Sequence, residues 1–220
     1  MLPLENQREF FVQQRVELAE LVGFETRNKY EILDGQKKTI GFAAEQGKGV
    51  GGFLFRQILG HWRTFEIHIF NNDRQVILKV THPFRWIFQR LEIRDAQGNT
   101  LGALQQRFGL INKRFDVEDR TGHVVLEVRS PFWRIWTFPF FSRSDREAAR
   151  VEKKWSGIAK ELFTDTDNFR VIFKDPNLTQ EIRNVIVCAA LFIDLQYFER
   201  HANQKRSSSV FGSSHHNNNI

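Results

Sequence analysis

Cysteine is all but missing. Cys188 is the single one among 220 residues, so a disulfide scaffold is excluded and a reducing compartment is expected. No apolar core interrupts the first twenty residues, which carry Glu5, Glu9, Glu17 and Glu20, so no secretory leader is expected in them. The longest apolar run is nine residues, Val185–Ile193, well short of the roughly 20 that a spanning helix needs. No linker or composition break divides residues 10–200. Disorder as the main state is excluded by 22 Phe and 5 Trp. A 26.0 kDa chain buries about 70% of its extended surface when compact, enough for one sizeable core.

Chemical motifs are just as scarce. His61, His68, His82 and His123 show no metal-binding spacing, and no nucleophile elbow or Cys–His arrangement is present, so covalent and hydrolytic catalysis has no support and no enzyme is expected. Glu66 and His68 share a strand face, where an ordinary hydrogen bond is the simpler reading. Gly47–Gly52 matches G-x-G-x-x-G literally, but a dinucleotide site requires a parallel βαβ unit, whereas alternating strands follow here.

Alternation is what the chain has in quantity. Tyr30–Leu33 leads through Asp34-Gly35 into Lys37–Phe42, which predicts a hairpin. The pattern recurs around Asn71-Asn72-Asp73, Gln97-Gly98-Asn99 and Thr121-Gly122, each flanked by alternating Ile, Leu, Val or Phe. These are antiparallel hairpins, and the body is mainly β. Residues Gln180–Arg200 depart from this grammar: Pro176-Asn177 with Gln180 predicts a helix start. The helix is apolar on all sides over Val185, Ile186, Cys188, Leu191, Phe192 and Ile193, and so belongs inside a sheet or, as the alternative, in a membrane as a single-pass anchor. Residues 1–9 read as an N-terminal arm, 10–200 as one barrel domain and 201–220 as a polar, disordered tail.

Charge narrows the partner. Residues 51–150 hold 16 Lys/Arg against 10 Asp/Glu, which accounts for the whole net charge of +6, and fourteen of those cations are Arg. Arginine's planar fork suits phosphate oxygens, although solvating an outward strand face is the simpler role for any single one. Two stretches interleave Arg with aromatics: 83–90 with Arg85, Trp86, Phe88 and Arg90, and 131–141 with Trp133, Arg134 and Trp136. Such a mixture fits a membrane interface, where rings sit at headgroup depth, or strand residues of the core; single-stranded nucleic acid is the weaker partner. Asp165-Thr166-Asp167 opens like an acidic cation loop, yet Phe169, Arg170 and Pro176 stand where an EF-hand needs a ligand, Gly and Glu.

Several longer blocks carry a family resemblance: Phe11–Leu18, Gly23–Ile32, Phe42–Glu45, Trp155–Phe169, Phe192-Ile193-Asp194 and Phe198-Glu199. In order and with few gaps, they make residues Phe10 to Arg200 similar to the phospholipid scramblase family. The resemblance implies a tubby-like fold, a closed antiparallel β-barrel wrapped around a hydrophobic C-terminal helix. It also implies calcium-triggered, ATP-independent movement of phospholipids between leaflets. Calcium would be the cofactor, with Asp165, Asp167 and Asn177 as its ligands. The segment departs from the family's at Arg170, which replaces a Gly, and at Asn177 and Thr179, which replace acidic residues. Where family members carry an acylated cysteine cluster, Arg85–Arg90 contains no cysteine. The expected protein is a cytoplasmic, membrane-associated monomer that meets anionic phospholipid. A tubby-like module that binds phosphoinositides or proteins and moves no lipid is the alternative.

Overall fold

The computed structural model describes residues 1–5, 7–15, 28–46, 64–85, 87–108, 112–131, 134, 136–154 and 168–195. Among them twelve strands form one closed sheet: β1 (Glu9–Gln14), β2 (Lys29–Asp34), β3 (Thr39–Glu45), β4 (Phe65–Phe70), β5 (Val76–His82), β6 (Arg90–Asp95), β7 (Thr100–Arg107), β8 (Asn112–Asp119), β9 (Val124–Pro131), β10 (Thr137–Ser142), β11 (Glu147–Lys154) and β12 (Asn168–Phe173). Each strand pairs antiparallel with the next, and β1 returns to β12 through pairs such as Val12↔Phe169, so no edge is left open. Alternation dictates which side faces in. In β4, Phe65, Ile67 and Ile69 are buried while Glu66 and His68 lie half-exposed; in β12, Phe169, Val171 and Phe173 are buried and Arg170 and Ile172 alternate with them.

The helix α1 (Gln180–Ile193) fills the lumen. Every residue from Ile182 to Ile193 is buried, including Val185, Ile186, Cys188, Leu191, Phe192 and Ile193. Strands from around the barrel meet it: Phe192 lies against Phe65 of β4, His82 of β5 and Phe115 of β8, at 6.4, 5.8 and 5.9 Å between ring centres. Each large apolar side chain so enclosed contributes about 1.5–3 kcal/mol. Gly102 of β7 lets the helix come close, because a Cβ there would stand 3.0 Å from Val185 Cγ2 and 2.5 Å from the Glu118 carbonyl oxygen. No helix among the described residues is long and apolar enough to cross a membrane.

One local expectation is corrected. The helix is capped by Thr179, whose Oγ1 accepts from Ile182 N at 3.4 Å, and not by Asn177. Asn177 instead donates its backbone N–H to Asp175 Oδ1 at 2.9 Å, which closes a separate turn before the helix begins. The expected hairpin at Asp34-Gly35 forms between β2 and β3, closed over residues 34–38. Asp34 N donates to Lys38 O at 2.9 Å and Lys37 takes the left-handed conformation at φ 66°. The Asp34 carboxylate, accepting from Gln36 N and Lys38 N at 2.9 Å each, favours this loop with a bulge at Ile32/Leu33.

An up-and-down barrel sorts its connections onto two rims. At one rim lie five tight turns, 34–38, 71–75, 95–99, 119–123 and 142–146. At the other rim the strand ends are joined by connections 15–28, 46–64, 83–89, 108–111, 132–136 and 155–167. The glycine-rich segment 47–52 lies outside the described residues, but β3 and β4 on either side of it pair antiparallel, which excludes the parallel unit a dinucleotide site requires. The first residues belong to the tight-turn rim: Leu2 and Leu4 are fully buried, and Leu2 N donates to Asn184 Oδ1 at 3.1 Å.

Candidate functional site

Six of the mid-chain arginines, Arg90, Arg94, Arg107, Arg114, Arg129 and Arg150, pair with carboxylates on the barrel wall. Arg90 donates to Glu118 at 2.7 Å and to Gln105 at 3.2 Å and also meets Glu92 at 3.4 Å. Arg94 pairs with Glu92, Arg107 with Asp116, and Arg150 with Glu147 and Glu152. Glu66 and His68 form a strand hydrogen bond of 2.6 Å on the outer face of β4. With its guanidinium committed to carboxylates, Arg90 stands apart from the exposed cations of its stretch. Arg85 and Arg134 are exposed, and neither has a carboxylate partner among the described residues.

Both of those arginines lie on the rim of long connections, and so does most of the exposed apolar surface. Five large hydrophobic residues are exposed among the described residues: Met1, Phe84, Ile87, Phe88 and Phe108. The last four occupy two neighbouring connections, 83–89 and 108–111, with Ile87 76% and Phe108 67% exposed. Two backbone-directed bonds fix the base of the first connection to β7: Gln106 N donates to Gln89 O at 2.8 Å, and Gln89 N donates to Gln106 Oε1 at 3.0 Å. Between this connection and β7 lies a shallow concavity walled by Phe84, Ile87 and Phe88 and edged by Arg85 and Arg107. Apolar walls with the cation Arg85 at their edge, Arg107 being paired with Asp116, suit an amphiphile that presents an anionic head and a hydrocarbon body.

The sequence-predicted site is therefore brought together in part. Arg85 and Phe88 are on the exposed rim, and Arg134 is on the same rim between β9 and β10. Trp136 is half-buried at the start of β10, with Lys153 Nζ 5.6 Å over its ring. Trp86 and Trp133 lie outside the described residues, as do Asp165 and Asp167. Asn177 is exposed at the tight-turn rim, whereas Asn168, which follows Asp167 in the chain, begins β12 at the opposite rim. No group of three or more metal-binding side chains occurs among the described residues. Burial pushes the Cys188 thiol well above its ordinary range and leaves it inert inside the lumen. Sequence reasoning missed Phe108, Arg107 and Gln105. The available signal was the apolar run Phe108-Gly109-Leu110-Ile111, which falls between strands where a solvated loop would be polar.

Comparison with known proteins follows this geometry. A family model described as "Scramblase" matches residues 1–200. Phospholipid scramblase 1 of Homo sapiens is 29% identical over 217 residues, covering 92% of this chain and 67% of the relative. A phospholipid scramblase family protein of Schizosaccharomyces pombe is 25% identical over 240 residues, covering 90% of this chain and 61% of its own length. The chain thus spans roughly two thirds of the length of these relatives. A solved Arabidopsis thaliana protein is 11% identical with a TM-score of 0.45, covering 85% of this chain and 92% of that one.

Proposed function

Because this chain belongs to the scramblase family, we propose that it binds anionic phospholipid membranes and promotes ATP-independent movement of phospholipid between leaflets. The observation that supports this reading is the exposed apolar and cationic rim around Phe84, Arg85, Ile87 and Phe88. Arginine forms charge-assisted bonds with phosphodiester oxygens, and each cation near an anionic bilayer is worth about 1 kcal/mol. Exposed apolar side chains gain about 25 cal/mol per Å² on leaving water for the acyl boundary. Moving a lipid across a bilayer breaks no covalent bond, so the activity needs no catalytic constellation. The lumen offers no route for the headgroup, since α1 fills it; lipid would cross along the outside of the barrel, where the inserted rim perturbs the interface. Calcium triggering belongs to the same proposal, with Asp165 and Asp167 as its first ligands.

The filled lumen also favours a second reading, a tubby-like module that binds membranes or phosphoinositides without transport. Reconstitution separates the two. Vesicles carrying a fluorescent outer- and inner-leaflet lipid are exposed to an impermeant bleaching agent, with and without calcium. Transport predicts bleaching beyond the outer-leaflet half, and a calcium requirement that Asp165→Ala with Asp167→Ala removes. Bleaching no greater than in protein-free vesicles under both conditions leaves the binding module.

A further inference from the structure

We propose that the barrel docks end-on, with the rim that carries the exposed Phe84, Arg85, Ile87, Phe88, Phe108 and Arg134 as its membrane face and the tight-turn rim pointing away. This inference rests on the phospholipid-binding reading above and specifies which surface carries it. Three observations converge on it. Four of the five exposed large hydrophobics among the described residues sit at this rim. Its exposed cations Arg85 and Arg134 have no carboxylate partner among the described residues, and connections 83–89, 108–111 and 132–136 contain no Asp or Glu in sequence. The opposite rim is the reverse case: its turns hold Gly, Asn, Gln, Ser, Thr and charges of both signs, including Asp73, Asp95, Asp119 and Asp145.

Charge complementarity selects the partner. A patch of exposed Phe and Ile side chains with arginines beside them matches a bilayer with anionic headgroups: guanidinium groups at phosphate depth and rings at the acyl boundary. A protein partner of ordinary composition would leave this rim's arginines facing no fixed set of carboxylates. The presentation is rigid at its base, because the Gln89–Gln106 bonds tie the 83–89 connection to β7. Pro83 follows the buried His82, which is stacked on Phe65 with ring centres 4.7 Å apart, so the connection leaves the barrel from a packed anchor. Helix α1 runs from the tight-turn rim, where Asn184 meets Leu2, to the membrane rim, where Asp194 accepts from Tyr30 at 2.8 Å. It thus stands along the approach direction, with its C-terminal end nearest the lipid.

The test is flotation of the full chain with vesicles of phosphatidylcholine containing phosphatidylserine, comparing Arg85→Glu, Ile87→Asp and Arg120→Glu. Arg85 and Arg120 are both exposed, so their reversal changes net charge equally at opposite rims, and neither change disturbs the core. Arg85→Glu and Ile87→Asp are expected to weaken partitioning about tenfold each, while Arg120→Glu stays within about twofold. Equal losses for Arg85→Glu and Arg120→Glu would show that only net charge matters and would overturn end-on docking, as would wild-type partitioning in Ile87→Asp. A polarity-sensitive probe on Ile87→Cys is expected to shift to the blue on vesicle binding and one on Gln97→Cys to stay unchanged; native Cys188 is buried and does not compete for label. Binding of the wild type without any rim dependence removes this inference and leaves the lipid-binding reading, whereas no flotation of the wild type removes both.

Discussion

Arg183 and Arg85 carry the same group to opposite ends of the barrel and to opposite fates. Arg183 is buried at the tight-turn rim, where its guanidinium donates to the carbonyl oxygens of Leu178, Gln7, Pro176 and Leu4 at 3.0, 3.0, 3.2 and 3.3 Å and lies 4.8 Å over the Phe173 ring. Desolvation lowers its pKa, and Asp175 and Glu5 act in the other direction. The residue ties the N-terminal arm, the turn before α1 and the helix itself into one unit. Arg183→Ala is expected to destabilise the protein by about 2–3 kcal/mol in urea unfolding, since four carbonyls, that of Leu4 buried and the others part-buried, lose a donor at once. Arg183→Lys should recover only part of the loss, because an ammonium lacks the fork that reaches four oxygens. Nothing in the local sequence Ile182-Arg183-Asn184 announces this role; a cation beside an apolar run reads as the end of the buried segment. The carbonyls it serves come from residues 4, 7, 176 and 178, which only folding brings together.

The five tight turns repeat one design at the scale of the element. In each, the first residue donates its N–H to the carbonyl of the fifth, and its own carbonyl accepts from the N–H of the fourth, which adopts positive φ: Lys37 at 66°, Arg74 at 62°, Gly98 at 91°, Gly122 at 85° and Asp145 at 60°. A left-handed residue with a Cβ costs about 1–2 kcal/mol, and glycine escapes that cost. Nothing lies within 4 Å of a Cβ built on Gly98, so Gly98→Ala is expected to lose about 1 kcal/mol from backbone strain alone. Arg74→Gly should gain about 0.5 kcal/mol, the relief being offset by a freer unfolded chain. Paired thermal unfolding curves check both signs. The turns at Gly98 and Gly122 were legible because Gly occupies the position that needs it. The Ser142–Arg146 turn was not, since Asp145 stands there and no Gly-bearing signal marks it.

Carboxylates on the tight-turn rim contribute to the acid sensitivity of the whole molecule. The Asn99 side chain donating to Asp95 at 2.8 Å holds that carboxyl below its usual range, the Thr121 hydroxyl does the same for Asp119, and Arg150 followed by Lys174 does so for Glu147. In each case the folded pKa lies below the unfolded one, so between the two the unfolded chain binds more protons. The stabilisation is complete above the unfolded value, about pH 4, and is lost as pH falls through the folded values. Urea midpoints should therefore hold steady near neutrality and fall as the solution is acidified below about pH 4. Asn99→Ala and Thr121→Ala should each shallow that fall, and an unchanged acid dependence in both variants would refute the assignment.

Alternation, turn residues and the nine-residue apolar run were enough to determine a mainly β, antiparallel fold with an enclosed C-terminal helix, because side-chain period and chain reach are local properties. Closure into a barrel was implied by the family resemblance. The sequence also placed Arg85, Phe88 and Arg134 among candidate lipid contacts, since arginine amid aromatics marks an interface wherever it occurs. It could not say that Arg90 is neutralised by Glu118, 28 residues away, or that Asn177 sits at the other rim from Asn168. Closure of the barrel decided those points. Each strand reverses the chain, so alternate connections are sent to opposite ends, and which charges meet across the wall depends on a register that no single segment contains.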